Sequence, residues 1–334
     1  MAKKGYTHRE RIENCLAGGD LDRPPVALWR HFPVDDQTPG GLAAITLDFQ
    51  RRYDFDLVKV TPASSFCTKD WGVLDEWRGA GEGTRDFTRR AVNRVEDWSR
   101  LPLLDPYRGA LGATLESLRR ITSELGPQVP VIQTIFSPLM QAKYLVGPEE
   151  LLVHLRRAPE AVHEGLKTVA ESTHSFIEAA LQTGIAGVFY AVQFASFELL
   201  SKEEYRNFGR RYDLQVLEAA QGSWLNMLHL HGNEVMFDEF IDDPVGVLNW
   251  HDRDTFPSLR EAKGKFPGTL CGGLQRQRTM VLGSPEKVAA EARDAIEQTG
   301  GQRFILGTGC VLPIIAPNAN IMAARRSVEK GVGE

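Results

Sequence analysis

The chain has no long apolar run, no block of basic charge and no paired cysteine spacing, and each absence removes a class of function. No apolar stretch approaches the roughly 20 residues of a membrane-spanning helix, and the first ten residues lack the apolar core of a secretory leader. Lys+Arg total 39 against Asp+Glu 44, a net charge of −5. With no basic cluster, neither nucleic acid nor an anionic membrane is an expected partner. Four cysteines (Cys15, Cys67, Cys271 and Cys310) are scattered without disulfide-like spacing, which fits a reducing compartment. A Gly-x-Gly-x-x-Gly turn after the first apolar segment is also missing, which argues against an open dinucleotide-binding sheet. Together these absences predict a cytosolic protein that acts on a small molecule.

What is present is an even alternation of apolar strands and amphipathic helices. The 334 residues are 42% hydrophobic and 25% charged, ordinary for a globular protein, and the length suits one α/β barrel or two smaller units. Strand-like runs fall at 26–29, 55–60, 129–134, 187–192, 225–230, 245–250, 268–272 and 303–306. Thr7 with Glu10, and Ser201 with Glu204, have the form of capping boxes that open helices. The second of these is predicted to run to residue 220. Eight strands separated by helices predict an α/β fold, a (β/α)8 TIM barrel, forming a single domain over 1–334. Residues 63–107 are loop-rich and too long for a plain connection. They read as a cap-like insertion after strand 2, with a hairpin tip at 79–83 and Trp71, Trp77 and Trp98 available to line it.

In such a barrel, active residues follow the C-terminal ends of the strands. Trp29, Arg30 and His31 follow the first strand; Thr61 and Lys69 the second; Gln193 the fourth. His229 and His231 end the fifth, His251 follows the sixth, Gln275 the seventh and Cys310 the eighth. Period-2 alternation puts His229 and His231 on one strand face. Two imidazoles and a thiolate make three zinc-type ligands with a fourth position open. The alternative is that one His satisfies a hydrogen bond in the mouth while Cys310 is simply buried. Gly307 and Gly309 give the backbone freedom to turn Cys310 inward, with His251 as the reserve ligand.

Several segments are similar to the uroporphyrinogen decarboxylase superfamily: Arg23-Pro-Pro, the stretch from Phe136 to Gly147, Leu248-Asn-Trp250, Cys271-Gly-Gly-Leu274, and Leu306-Gly-Thr-Gly-Cys310. The resemblance implies the barrel and two chemistries, cofactor-free porphyrinogen decarboxylation or zinc-dependent methyl transfer between a corrinoid protein and a thiol. The decarboxylase pattern is depleted here. At most one of its two arginines survives (Arg30), no acid stands near Thr61, and its His is replaced in Leu306-Gly-Thr308-Gly-Cys310, although Tyr144 matches. The methyltransferase branch fits better. His229-Leu-His231-Gly232 resembles its His-x-Cys-Gly with His231 in place of Cys, and Gly309-Cys310 resembles its second metal segment. An imidazole in place of a thiolate leaves the site one negative charge poorer, making a bound zinc the stronger Lewis acid.

The resemblance therefore implies a zinc-dependent methyl (alkyl) transferase acting with a corrinoid protein or thiol acceptor. The metal ligands would be His229, His231 and Cys310. Arg30, His31, Tyr144 and His251 are the catalytic candidates, and Trp29, Lys69, Gln193 and Gln275 would bind substrate. The alternatives are a metal-free, decarboxylase-like lyase using Arg30, His31, Lys69 and His251, or a non-catalytic barrel that binds a tetrapyrrole or corrinoid. A homodimer is the expected assembly.

Overall fold

A computed structural model describes residues 5–329; residues 1–4 of the segment read for a leader, and 330–334 of the expected domain, lie outside the described residues. The chain begins with α1 (His8–Ala17), where Thr7 Oγ1 accepts from Glu10 N at 3.2 Å and Thr7 N donates to Glu10 Oε2 at 2.8 Å. That is the predicted capping box, and Gly18 at φ 72° ends the helix. After α2 (Pro39–Tyr53) comes the first regular strand, β1 (Val58–Val60). A hairpin of β2 (Leu74–Glu76) and β3 (Asp86–Arg89) follows, then α3 (Gly109–Leu125) and β4 (Val131–Phe136). Helices α4 (Pro138–Val146), α5 (Pro148–Arg157) and α6 (Pro159–Leu181) lead to β5 (Gly187–Val192).

The second half alternates as expected, with one departure. Helix α7 (Lys202–Tyr205) passes through a π-helical turn, Arg206–Arg210, before α8 (Arg211–Leu217), so the segment to residue 220 is not one continuous helix. The Tyr205 ring lies against Gly209, where a Cβ would meet it at 2.3 Å, and its hydroxyl donates to the buried Asp213. Then come β6 (Met227–Leu230), β7 (Val247–Trp250), α9 (Leu259–Lys265), β8 (Thr269–Leu274), α10 (Pro285–Thr299), β9 (Phe304–Thr308) and α11 (Asn318–Arg326).

The seven long-range strands form one parallel, curled sheet in the order β1-β4-β5-β6-β7-β8-β9. Each of these seven strands is buried along its whole length, the continuous apolar pattern of a parallel sheet covered by helices. The predicted strand at 26–29 is not a regular strand. It bridges the two sheet edges instead: Ala27 N donates to Leu306 O at 2.9 Å, Leu306 N to Pro25 O at 2.8 Å, and Asp56 N to Val26 O at 2.9 Å. Pro24 and Pro25 have no N–H to give a ladder, and Val26 N donates to the Asp56 side chain at 2.8 Å.

The hairpin tip touches segments that follow strand C-termini. Ile314 N donates to Gly81 O at 2.9 Å, Arg276 Nη2 pairs with Glu82 Oε1 at 2.5 Å, and Arg85 Nη1 donates to Pro33 O at 2.7 Å. The tryptophans do not line this contact. Trp98 is fully buried with Nε1 donating to His154 Nδ1 at 3.0 Å, Trp71 donates to Pro102 O, and Trp77 to Ala80 O. All four cysteines are unpaired and buried. Among the described residues no helix is long and apolar enough to cross a membrane.

Candidate metal centre

The site grows from sheet register. β6 pairs β7 with His229 opposite Asn249, and β7 pairs β8 with Asn249 opposite Cys271. In-register neighbours project side by side, so a histidine and an amide meet inside the sheet. Asn249 Nδ2 donates to Cys271 O at 2.9 Å and to Thr308 O at 3.1 Å. Both amide hydrogens are thereby used, and Oδ1 must face His229 Nδ1, 2.7 Å away. Nδ1 therefore carries the proton, and His229 Nε2 is left with a lone pair. That nitrogen is buried and has no hydrogen-bond partner among the described residues.

Three further donors converge on it. His231 lies two residues on, past the end of β6, and its Nδ1 is 3.4 Å from Cys310 Sγ. His251 follows β7, and its Nε2 is also buried without a partner among the described residues. One ligand atom from each of His229, His231, His251 and Cys310 lies within 4.8 Å of all the others. Gly309 permits the approach: a Cβ there would sit 2.5 Å from Trp250 O and 2.6 Å from His251 Cα. Asp252 fixes the other side of the turn by accepting from Gly273 N at 3.0 Å.

Burial pushes His231 down to about 3 and His251 to about 4, reinforced by neighbouring positive groups, and depresses His229 strongly. The imidazoles are thus neutral and free to ligate. Burial raises the Cys310 thiol, and only a cation at this point reverses that, since a metal stabilises the thiolate. Three neutral imidazoles and one sulfur suit zinc among the common biological metals.

An inner cavity of about 100 Å³ opens against this cluster. Trp29, His31, Tyr144 and Gln193 line it together with His229, His231 and Cys310. Tyr144 is stacked on Phe87 at 4.7 Å and perpendicular to Phe136 at 5.7 Å, and burial raises its hydroxyl well above the ordinary range. An outer cavity of about 340 Å³ shares His231 and Gln193 with the inner one, and Gln193 Oε1 accepts from Lys143 Nζ at 2.6 Å.

Three expected site residues are elsewhere. Arg30 turns away from the cavity, because alternate residues of an extended segment face opposite sides. It donates to Ile314 O at 3.2 Å and lies over the Phe32 and Phe49 rings. Lys69 sits in a 3₁₀ turn with its ammonium 3.8 Å from Asp75. Gln275 folds back on its own turn, accepting from Gln277 N at 2.7 Å and donating to Asp254 at 3.2 Å. Conversely, Lys59, Phe189, Glu82 and Arg276 line the inner cavity and Asn249 bonds His229, and the sequence reading singles out none of them. The signal for Lys59 was a lone charge inside the apolar run at 55–60.

A profile of the uroporphyrinogen decarboxylase (URO-D) family matches residues 7–331. The chain belongs to the URO-D family. Within and around that family, a methylcobamide:CoM methyltransferase, MtbA of Methanosarcina mazei, is 23% identical over 339 residues, covering 95% of this chain and 96% of its own. A uroporphyrinogen decarboxylase of Rhodococcus erythropolis is 28% identical over 300 residues, covering 84% of this chain and 80% of its own. Among solved structures, a methyltransferase from Methanosarcina mazei superposes with a TM-score of 0.85 at 19% identity, over 96% of this chain and 98% of that one. This URO-D family member thus resembles both chemistries in sequence, and the methyltransferase structure supports the fold.

Proposed function

We propose that this chain is a zinc-dependent methyl (alkyl) transferase of the URO-D family, built as a single (β/α)8 barrel whose first stave is the bridging segment at 25–30. Its partners would be a corrinoid protein or a thiol acceptor. The observation that carries the reading is the four-donor cluster of His229, His231, His251 and Cys310. Two of its nitrogens, His229 Nε2 and His251 Nε2, are buried without a hydrogen-bond partner among the described residues, a costly arrangement unless a cation takes them.

Bound there, zinc would supply a Lewis acid that holds a thiol in its deprotonated form at neutral pH. The protein's own groups do the rest. Asn249 keeps His229 in the ligating tautomer. Trp29, Phe189 and Tyr144 give the cavity apolar walls, which exclude water from a transferable alkyl group. The hairpin tip at 79–83, tied down by Glu82 and Arg276, serves as a cap over the inner cavity. At about 100 Å³ the inner cavity is smaller than the ~300–1,000 Å³ of drug-sized sites, which favours a small substrate over a tetrapyrrole. Of the four residues of the metal-free lyase reading, His31 alone lines the inner cavity, and Arg30 and Lys69 are engaged elsewhere, which favours the transferase.

Elemental analysis of untagged protein tests the reading. One zinc per chain, removable by a chelator and restored by zinc alone, is expected. Protein that neither retains nor takes up zinc would sink it.

A further inference from the structure

Lys59 is the middle residue of β1, between two valines, and its side chain reaches into the inner cavity. The residue is buried. Its ammonium lies 4.4 Å from the Phe189 ring centroid and 5.8 Å from that of Trp29. Among the described residues the ammonium donates to Thr61 Oγ1 at 3.3 Å. It has no carboxylate within ion-pair distance among the described residues, and the acid that lines the same cavity, Glu82, is engaged by Arg276 at 2.5 Å and by Gln277 at 2.9 Å. His31 and His229, which also face the cavity, are uncharged imidazoles.

A buried ammonium without a counter-ion is unfavourable, and aromatic faces offset only part of the cost. Lysines in such positions either lose their proton or wait for an anion. The Thr61 hydroxyl accepts from the ammonium and donates to Lys59 O at 3.4 Å, which holds the side chain in place and leaves the other ammonium hydrogens to the cavity, and the cavity connects this point to the four-donor cluster. We propose that Lys59, positioned by Thr61, forms an anion-binding end of the substrate site, so that the substrate carries a carboxylate or comparable oxyanion at the end away from the reacting atom. The assignment of the reacting end rests on the transferase reading; the anion site rests on Lys59 itself. Burial draws this ammonium down to about 7, with the Cys310 sulfur opposing the shift, and an anion beside it favours the charged form. An ammonium, as a compact point charge, accepts oxyanions of several geometries, so the recognition is of charge and length rather than of one planar group.

Calorimetric titration with 3-mercaptopropionate and with 3-mercapto-1-propanol tests this, in both zinc-loaded and metal-free protein. These probes match in length and differ in the terminal charge. The acid is expected to bind about tenfold or more tighter than the alcohol, the scale of one hydrogen bond to a charged group. Added KCl should narrow that ratio only slightly, because the pair is buried. Lys59→Met, an unbranched side chain one atom shorter that removes the charge, should bring the two ligands within about twofold. Equal affinities in the parent, no measurable binding of the acid, or a preference that survives in Lys59→Met would each overturn the proposal. The parent's ratio does not depend on how the variant folds. Failure to take up zinc would count against the transferase reading, while the ratio in metal-free protein would still decide the role of Lys59.

Discussion

His229 donates from Nδ1 to Asn249 Oδ1 across 2.7 Å, and this single bond decides which nitrogen of the imidazole is left to bind a metal. The amide cannot flip, because its NH2 group already serves two backbone carbonyls on β8 and β9.

Asn249→Leu should therefore lower zinc affinity by roughly 10–100-fold, the usual cost of losing a partner that orients a ligand. It also strands two buried carbonyls, so a stability loss of about 1–3 kcal/mol is expected. Competition against a chromogenic chelator reads the first effect and denaturant titration the second. Unchanged zinc affinity would show that the ring is oriented by something else.

The four donors are not equivalent. Cys310→Ser removes the one anionic ligand and should weaken zinc binding most. His251→Ala leaves three ligands, enough for a catalytic zinc site, so metal should remain at reduced affinity. His231→Cys adds a thiolate at the rim and should keep or tighten binding. Metal content after dialysis orders the variants, and an identical content in all of them, zero or one, contradicts the cluster.

Gly309 has no room for a methyl group, since the atoms it would strike belong to the backbone of residues 250 and 251. Gly309→Ala should push apart the two turns that carry His251 and Cys310. Overpacking of this kind costs about 1–3 kcal/mol, and the loss of zinc should exceed what that destabilisation explains. A thermal melt beside a metal assay separates the two.

Much of the site was legible, for identifiable reasons. His229 and His231 follow a period of two, which any extended strand preserves, and Cys310 stands after a glycine pair that allows a turn. Strand alternation also explains the failure at Arg30, since Trp29 and His31 take the inward positions and leave it outside. Lys69 was misplaced because position after a strand says nothing about where a long excursion folds, and Asp75 captures it. Asn249 was invisible because its importance comes from register with a neighbouring strand, which one sequence does not encode. The first strand looked apolar enough to be regular, but two prolines and a side-chain acceptor, Asp56, reduce it to bridges.

Asp56 itself carries a pH prediction. Burial would raise its carboxyl, but hydrogen bonds from His8 and Arg23 and the charges of Arg23 and Arg11 outweigh burial and hold it well below the usual range. A depressed folded value contributes stability that is present above the unfolded value of about 3.9 and disappears as pH falls further. Asp56→Asn should cost about 3 kcal/mol near neutrality, as for one partner removed from a buried ion cluster. The gap between parent and variant should shrink below about pH 4. A gap that stays constant from pH 7 to pH 3 would mean that the carboxylate charge is not what stabilises this end.

The bridging segment at 25–30 would also give the proposed barrel a seam. Elsewhere neighbouring staves share ladders of three to five paired residues, but here the wall is joined by bridges at Val26 and Arg30. Breathing of the wall should start at this line, and amide exchange at Ala27, Leu306 and Leu312 should run ahead of exchange in β5 and β6. Cys310 lies directly beyond the seam, between the bridge partners Leu306 and Leu312. Zinc held by Cys310 and by histidines on the far staves would act as a clasp across the ring. Its uptake should therefore slow exchange at the seam more than anywhere else, coupling occupancy of the metal centre to the integrity of the wall around it.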